Sequence, residues 1–146
     1  MKPTESEAQL RAAVCQYIAL QYPNAIFFHD LSGERMPIGL AVKLKKLKSS
    51  RAIPDLHILE PRHGFCGLQI ELKREGERLI KSNGEPATEH IAEQFYMLQA
   101  LRDRGYLTFM VSGFVPVKRI LNLYFSDETK ENFDYIKNTS ASLILM

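Results

Sequence analysis

A chain of 146 residues, 45% hydrophobic and 25% charged, is long enough to bury one real core and too short for several domains. Its net charge of +2 carries no whole-chain signature of a polyanionic partner, so the placement of the basic residues matters more than their number. Cys15 and Cys66 are too far apart for a CxxC or Cys/His zinc module and read as two buried, reduced thiols.

In chain order, "PTESEAQLRAAVCQYIALQYP" reads as a helix. Leu10, Val14, Tyr17 and Ile18 recur at helical spacing, Thr4 can cap it, and Pro23 stops it. "NAIFFHD" reads as a short strand, "LSGERMP" as a loop, and "IGLAVKLKKLKS" as a short basic helix ending near Ser49. Two strands follow, Asp55 to Leu59 and Gly67 to Lys73, joined by the Pro- and Gly-bearing turn "EPRHGFC". "REGERLIKSNGEP" is polar and irregular, with a turn at Asn83-Gly84. "ATEHIAEQFYMLQALRDRG" is the clearest helix. Thr88 caps it, Arg102 and Arg104 suit its C-terminal dipole, and Gly105 fits the C′ position. "YLTFMVSGF" is a strand, and "VKRILNLYF" and "KENFDYI" are short helices. "SASLILM" is left open between a strand, an interface and a frayed end. The order predicts an α/β fold, a mixed sheet flanked by helices. The start "MKPTESEAQL" has no apolar signal segment, and no apolar run approaches the roughly 20 residues of a membrane helix. The expectation is a cytoplasmic protein.

If the two central strands form an antiparallel hairpin centred on His63, Leu59 faces Gly67, His57 faces Gln69, and Asp55 faces Glu71. Leu56, Ile58, Leu68, Ile70 and Leu72 then share one face, and Asp55, His57, Gln69, Glu71 and Lys73 the other. Opposed carboxylates with Cβ atoms about 5 Å apart repel unless a cation sits between them. Their oxygens suit Mg²⁺. With the Lys73 ammonium beside them, the set matches what phosphodiester hydrolysis needs. The plain alternative is a solvated Glu71–Lys73 ion pair on the wet face of a sheet. Likewise, Glu7 stands at N3 of a capping box opened by Thr4, which competes with any role at a site.

"IPDL" with "ELK" 16 residues after its aspartate resembles the PD-(D/E)xK nuclease signature. The ordered set "PDLHIL", "GLQIELK", "EHIAEQFYMLQALRDRGY" and "LTFMVSGF" resembles its VRR-NUC branch from about Glu7 to Leu121, leaving 122–146 as a C-terminal extension of a single domain spanning 1–146. Two features depart from the pattern: Ala52 stands where the family often has glycine, and the segment after Lys73 is long.

The resemblance implies a restriction-endonuclease-like fold and hydrolysis of DNA with Mg²⁺ or Mn²⁺, leaving a 5′-phosphate. Asp55, Glu71, Lys73, Gln94 and Glu7 match its functional positions. Glu7, Asp55, Glu71 and the main-chain carbonyl of Leu72 would bind metal, and Gln94 lies in the apolar stripe of its helix, facing the sheet. Lys43, Lys45, Lys46, Lys48 and Arg51 precede Asp55 and could neutralise DNA phosphates, with Arg74, Arg78 and Lys81 as weaker candidates. Small relatives of this kind resemble homodimeric nucleases selective for branched DNA such as four-way junctions; phage replication, DNA repair and host defence are all open as settings. The alternative is a DNA-binding relative without cleavage. His57 and His90 are placed to touch the site but lack metal-ligand spacing, and His29 and His63 read as ordinary strand-end and turn residues.

Overall fold

The computed structural model describes residues 6–31, 36–140 and 142–145. Its elements run α1 (Glu7–Gln21), β1 (Phe27–His29), α2 (Ile38–Lys45), β2 (Leu56–Ile58), β3 (Leu68–Lys73), α3 (Glu89–Arg102), β4 (Leu107–Ser112), α4 (Phe114–Tyr124), α5 (Lys130–Thr139) and β5 (Ile144–Leu145). The sheet order is β1-β2-β3-β4-β5. The first three strands are antiparallel meanders, and β3, β4 and β5 are mutually parallel neighbours. The sheet is therefore mixed, as the element order predicted.

One face of the sheet buries Leu56, Ile58, Leu68, Ile70, Leu72, Phe109 and Val111 against Leu10, Val14 and Ile18 of α1 and Val117, Ile120 and Leu121 of α4. On the other face Met110 packs with Leu79, and with Ile91 and Leu98 of α3. With helices on both sides, all six positions of β3 and of β4 are buried, as expected for central strands covered twice.

The β2–β3 register is the expected one, with His57 opposite Gln69 and Leu56 opposite Ile70. Its tip is a tight turn in which His63 and Gly64 both have positive φ, the backbone a two-residue hairpin requires. His63 is not an ordinary turn residue. It is buried, with Nε2 3.0 Å from the Tyr124 carbonyl, while Arg62 donates to the carbonyls of Tyr124, Phe125 and Ser126. Those carbonyls are left over at the C-terminus of α4, so the hairpin tip caps a helix on the opposite side of the chain. Ala52 lies outside the positive-φ region, so the departure from glycine there needs no strain.

Several local expectations change. The capping box of α1 is Ser6 with Gln9: the Gln9 amide donates to Ser6 Oγ, and the Gln9 side chain accepts from the Ser6 amide. Glu7 is thus the first helical residue, not N3, and takes no part in the box. Thr4 lies outside the described residues. The helix of the basic segment ends at Lys45, because the chain then turns towards β2. Asp103 is the C-cap of α3, so Gly105, at φ 97°, falls one position beyond C′. The cysteines are free but not buried: Cys15 is half-buried and Cys66 exposed. The C-terminal segment does form a strand, β5 beside β4. Among the described residues no helix is long and apolar enough to cross a membrane.

Gly67 sets the spacing of the hairpin, since a Cβ there would lie 2.8 Å from the Ile58 carbonyl oxygen. Gly67→Ala should cost about 1–3 kcal/mol in urea unfolding, the usual toll of overpacking. Gly39→Ala, with open space around it in α2, should be neutral or slightly stabilising in the same assay.

Candidate active site

A cleft of about 700 Å³ opens where α1, α3, the segment after α2, the N-terminal end of β2 and the C-terminal end of β3 meet. Glu7, Arg11, Asp30, Lys45, Lys48, Arg51, Asp55, Glu71, Leu72, Lys73, Glu77, His90 and Gln94 are among the residues on its walls.

Asp55 immediately precedes β2, and Glu71 lies inside β3 opposite it. Their carboxyl groups share a hydrogen bond. Glu71 is only 5% exposed and Lys73 only 7%. That burial removes the reading of these two as a solvated ion pair on a wet face, because α3 covers the polar side of β3. Burial holds the Glu71 carboxyl well above the usual carboxylate range, and the negative charge of Asp55 beside it adds to the effect. Burial also raises Asp55, opposed by the hydrogen bond from Glu71 and by the charges of Lys73 and Arg11. Both carboxyls therefore hold a proton more readily than free side chains do, and burial acts most strongly on Glu71. The positive charge of Lys73 favours ionisation of both groups, and the negative charge of Glu7 opposes it.

Gln94 sits where the helical arc placed it, 5% exposed on the sheet-facing side of α3. Its Nε2 donates to Glu71 Oε1 at 2.9 Å and lies 3.3 Å from His90 Nε2. Gln94 Oε1 is buried without a hydrogen-bond partner. Such an orphaned acceptor costs free energy unless something arrives to meet it.

The other sequence candidates divide. Glu7 is exposed at the first turn of α1, on the cleft wall. Lys45, Lys48 and Arg51 line the cleft, whereas Lys43 and Lys46 are exposed but not on its wall. Lys48 pairs with Asp30 at 2.5 Å. Arg51 is held by both oxygens of Glu93 at 2.8 Å, which raises its own pKa and lowers that of Glu93. Arg74, Arg78 and Lys81 are exposed outside the cleft. His57 stacks on Phe28, and burial lowers its pKa. Burial brings His29 to about 4.

Sequence reasoning missed Arg11, Asp30 and Glu77. Arg11 was findable, since it lies four residues after Glu7 and so on the same face of α1. Asp30 was findable too: its amide donates to the Asp55 carbonyl at 2.7 Å, continuing the β1–β2 pairing by one position. Glu77 comes from an irregular segment with no periodicity to read.

No protein-family model and no curated protein matches the sequence. Among solved structures, the chain is similar to a VRR_NUC domain protein, with a TM-score of 0.61 and 22% identity over 86% of this chain and 91% of that one. The chain has the α/β fold of a VRR_NUC domain protein, a five-stranded mixed sheet flanked by helices.

Proposed function

We propose that the chain is a metal-dependent endonuclease of the VRR-NUC type that hydrolyses DNA phosphodiester bonds. The observation that carries this reading is the contact between the Asp55 and Glu71 carboxyls, forced together in a half-enclosed cleft with the Lys73 charge acting on both. A fold built only for stability gains nothing from such a pair. At active sites, titratable groups pushed far from their ordinary values by burial and by one another are common.

The donor set fits a divalent cation. Two hard carboxylates already in contact are what Mg²⁺ takes from a protein, with water and substrate phosphate completing its shell. Among the described residues no three His, Cys, Asp or Glu side chains converge on one point. Asp55 and Glu71 would hold the ion, with the Leu72 carbonyl beside them and Glu7 at the rim. The bound ion would polarise a phosphoryl oxygen and ease ionisation of water.

This chain's own groups do the rest. Gln94 Nε2 donates to Glu71 Oε1 and would hold that carboxylate in place for a cation. Gln94 Oε1 is an acceptor for a water hydrogen or for the Lys73 ammonium. Lys73 stabilises charge developing on the phosphoryl oxygens. Lys45, at the cleft edge, engages backbone phosphate.

The test is cleavage of end-labelled duplex, flap and four-way junction DNA with Mg²⁺ or Mn²⁺. Products with 5′-phosphates should appear for the wild type and be absent for Asp55→Ala. A preference for branched substrates, and a dimer in sedimentation, would extend the reading. Binding without products in either metal would leave a DNA-binding domain that does not cut. No binding at low salt would remove DNA from the account.

A further inference from the structure

The cleft face of the sheet continues beyond the reach of α3. Phe28, His57 and Gln69 form one cross-strand row, so their side chains emerge on one face. Asp55 lies two residues before His57, and Glu71 two after Gln69, so the row belongs to the face that carries the carboxylates. At the β3–β4 end this face is closed, with Gln69 and Thr108 buried. At the β1–β2 end it is open: Phe28 is 50% exposed, and Ile26 and Leu59, on the same side of their strands, are more so. The rings of Phe28 and His57 lie 4.4 Å apart and within 8° of parallel. A flat, neutral, half-exposed ring pair thus begins one step of the strand, about 7 Å, from Asp55.

We propose that the Phe28–His57 stack is a platform on which an unpaired nucleobase next to the scissile phosphate rests. The proposal rests on the DNA reading above and adds to it the part of the substrate that is recognised. A nucleotide is an anion joined to a flat ring. The structure places cationic groups, Arg11, Lys45 and Lys48, around the cleft, and flat apolar surface on the adjoining strands. That complementarity, continuous with the carboxylate site, favours a nucleic-acid strand over a second copy of this chain, which would need apolar contact without the flanking cations. Stacking accepts any base, so the platform selects for strand opening and not for sequence. Ile26 and Leu59 flank the rings and would exclude water from the stacked base.

The experiment uses the full chain in EDTA, where binding is read without cleavage. Oligonucleotides carrying one 2-aminopurine, either in a single-stranded arm beside a duplex or within a continuous duplex, report stacking by fluorescence quenching and affinity by titration. The wild type should quench the probe in the arm. Phe28→Ala should abolish the quenching and weaken binding of the arm substrate by about 5- to 100-fold, with duplex affinity changed less than twofold. Phe28→Trp should restore both, and Tyr96→Ala, an exposed aromatic on α3, should change neither. Thermal unfolding of Phe28→Ala close to the wild type, or the same loss with Phe28→Leu, shows that the fold is intact. Absence of quenching by the wild type, or equal affinity of wild type and Phe28→Ala for the arm, overturns the platform. So does a Phe28→Ala variant that changes from dimer to monomer in sedimentation with unchanged arm affinity, which would give the patch to a second copy. Quenching that depends on Phe28 without cleavage in Mg²⁺ or Mn²⁺ would sink the nuclease and keep the platform. Cleavage with no Phe28 effect would do the reverse.

Discussion

Lys73→Met should lower the single-turnover rate of Mg²⁺-supported DNA cleavage by about 10²–10³-fold while changing DNA affinity by less than twofold. Methionine keeps the length and apolar stem of lysine and removes its charge, so it tests the charge at a position that is 7% exposed. The magnitude is that of one electrostatic donor removed from a site where charge develops on oxygen. Affinity should hold because the charge that Lys73 meets develops only in the transition state, so its removal costs rate and not ground-state binding. Lys73 also favours the ionised forms of Asp55 and Glu71, so its removal should raise the metal concentration needed for half-maximal rate. Lys73→Arg should recover little, since a planar guanidinium does not replace a compact ammonium in a packed strand. A Lys73→Met rate within about threefold of the wild type would remove lysine from the mechanism.

Glu71→Gln should abolish cleavage and yet stabilise the metal-free protein at alkaline pH. A carboxyl whose folded-state pKa lies above its unfolded value holds its proton more tightly in the native chain. Its stabilising contribution is complete below the ordinary value, 4.5 for a glutamate, and is lost as pH rises through the raised one. Asp55 and Glu71 are both shifted this way, so the unfolding free energy contributed by the pair should fall with rising pH in EDTA. Glutamine at 71 removes the repulsion. Its amide oxygen can still accept from Gln94, and its NH₂ can donate to Asp55. At pH 8 the variant should therefore exceed the wild type by about 1 kcal/mol, or about 2–4 °C in Tm for a chain of this size. At pH 4 the two should converge, and Mg²⁺ should raise the Tm of the wild type but not of Glu71→Gln. Equal or lower stability of Glu71→Gln at pH 8 would show that the pair is not strained.

Much of the site could be read from the residues because strand periodicity is strict. With "PDLHIL" and "GLQIELK" as a hairpin, the position of Asp55 opposite Glu71 follows from alternation, and a slip by one residue would bury charge in the α1–α4 core. Gln94 followed from the 100° step of α3. What could not be read was what covers the polar face: nothing in "GLQIELK" says that α3 lies across it, so a wet strand face remained open until burial closed it. Arg62 and His63 were missed for a similar reason. Their partners are α4 carbonyls more than 60 residues away, and backbone acceptors leave no trace in sequence. The cap of α1 was misplaced by two residues because both Thr4 and Ser6 are competent caps, and the choice fell to Gln9. The basic run was legible as composition but not as pairing: Asp30 and Glu93, which take Lys48 and Arg51, come from elements distant in the chain.

Arg102, at the last turn of α3, donates to the carbonyls of Thr108, Ser140 and Ser142. The rod that carries Gln94 is thereby bolted at its far end to the segment between α5 and β5. Clipping those residues would let the rod roll, and a rotation of a few degrees is enough to swing an amide off the oxygen it steadies. A segment far from the cleft in sequence thus bears on how firmly α3 holds the Gln94 amide against Glu71.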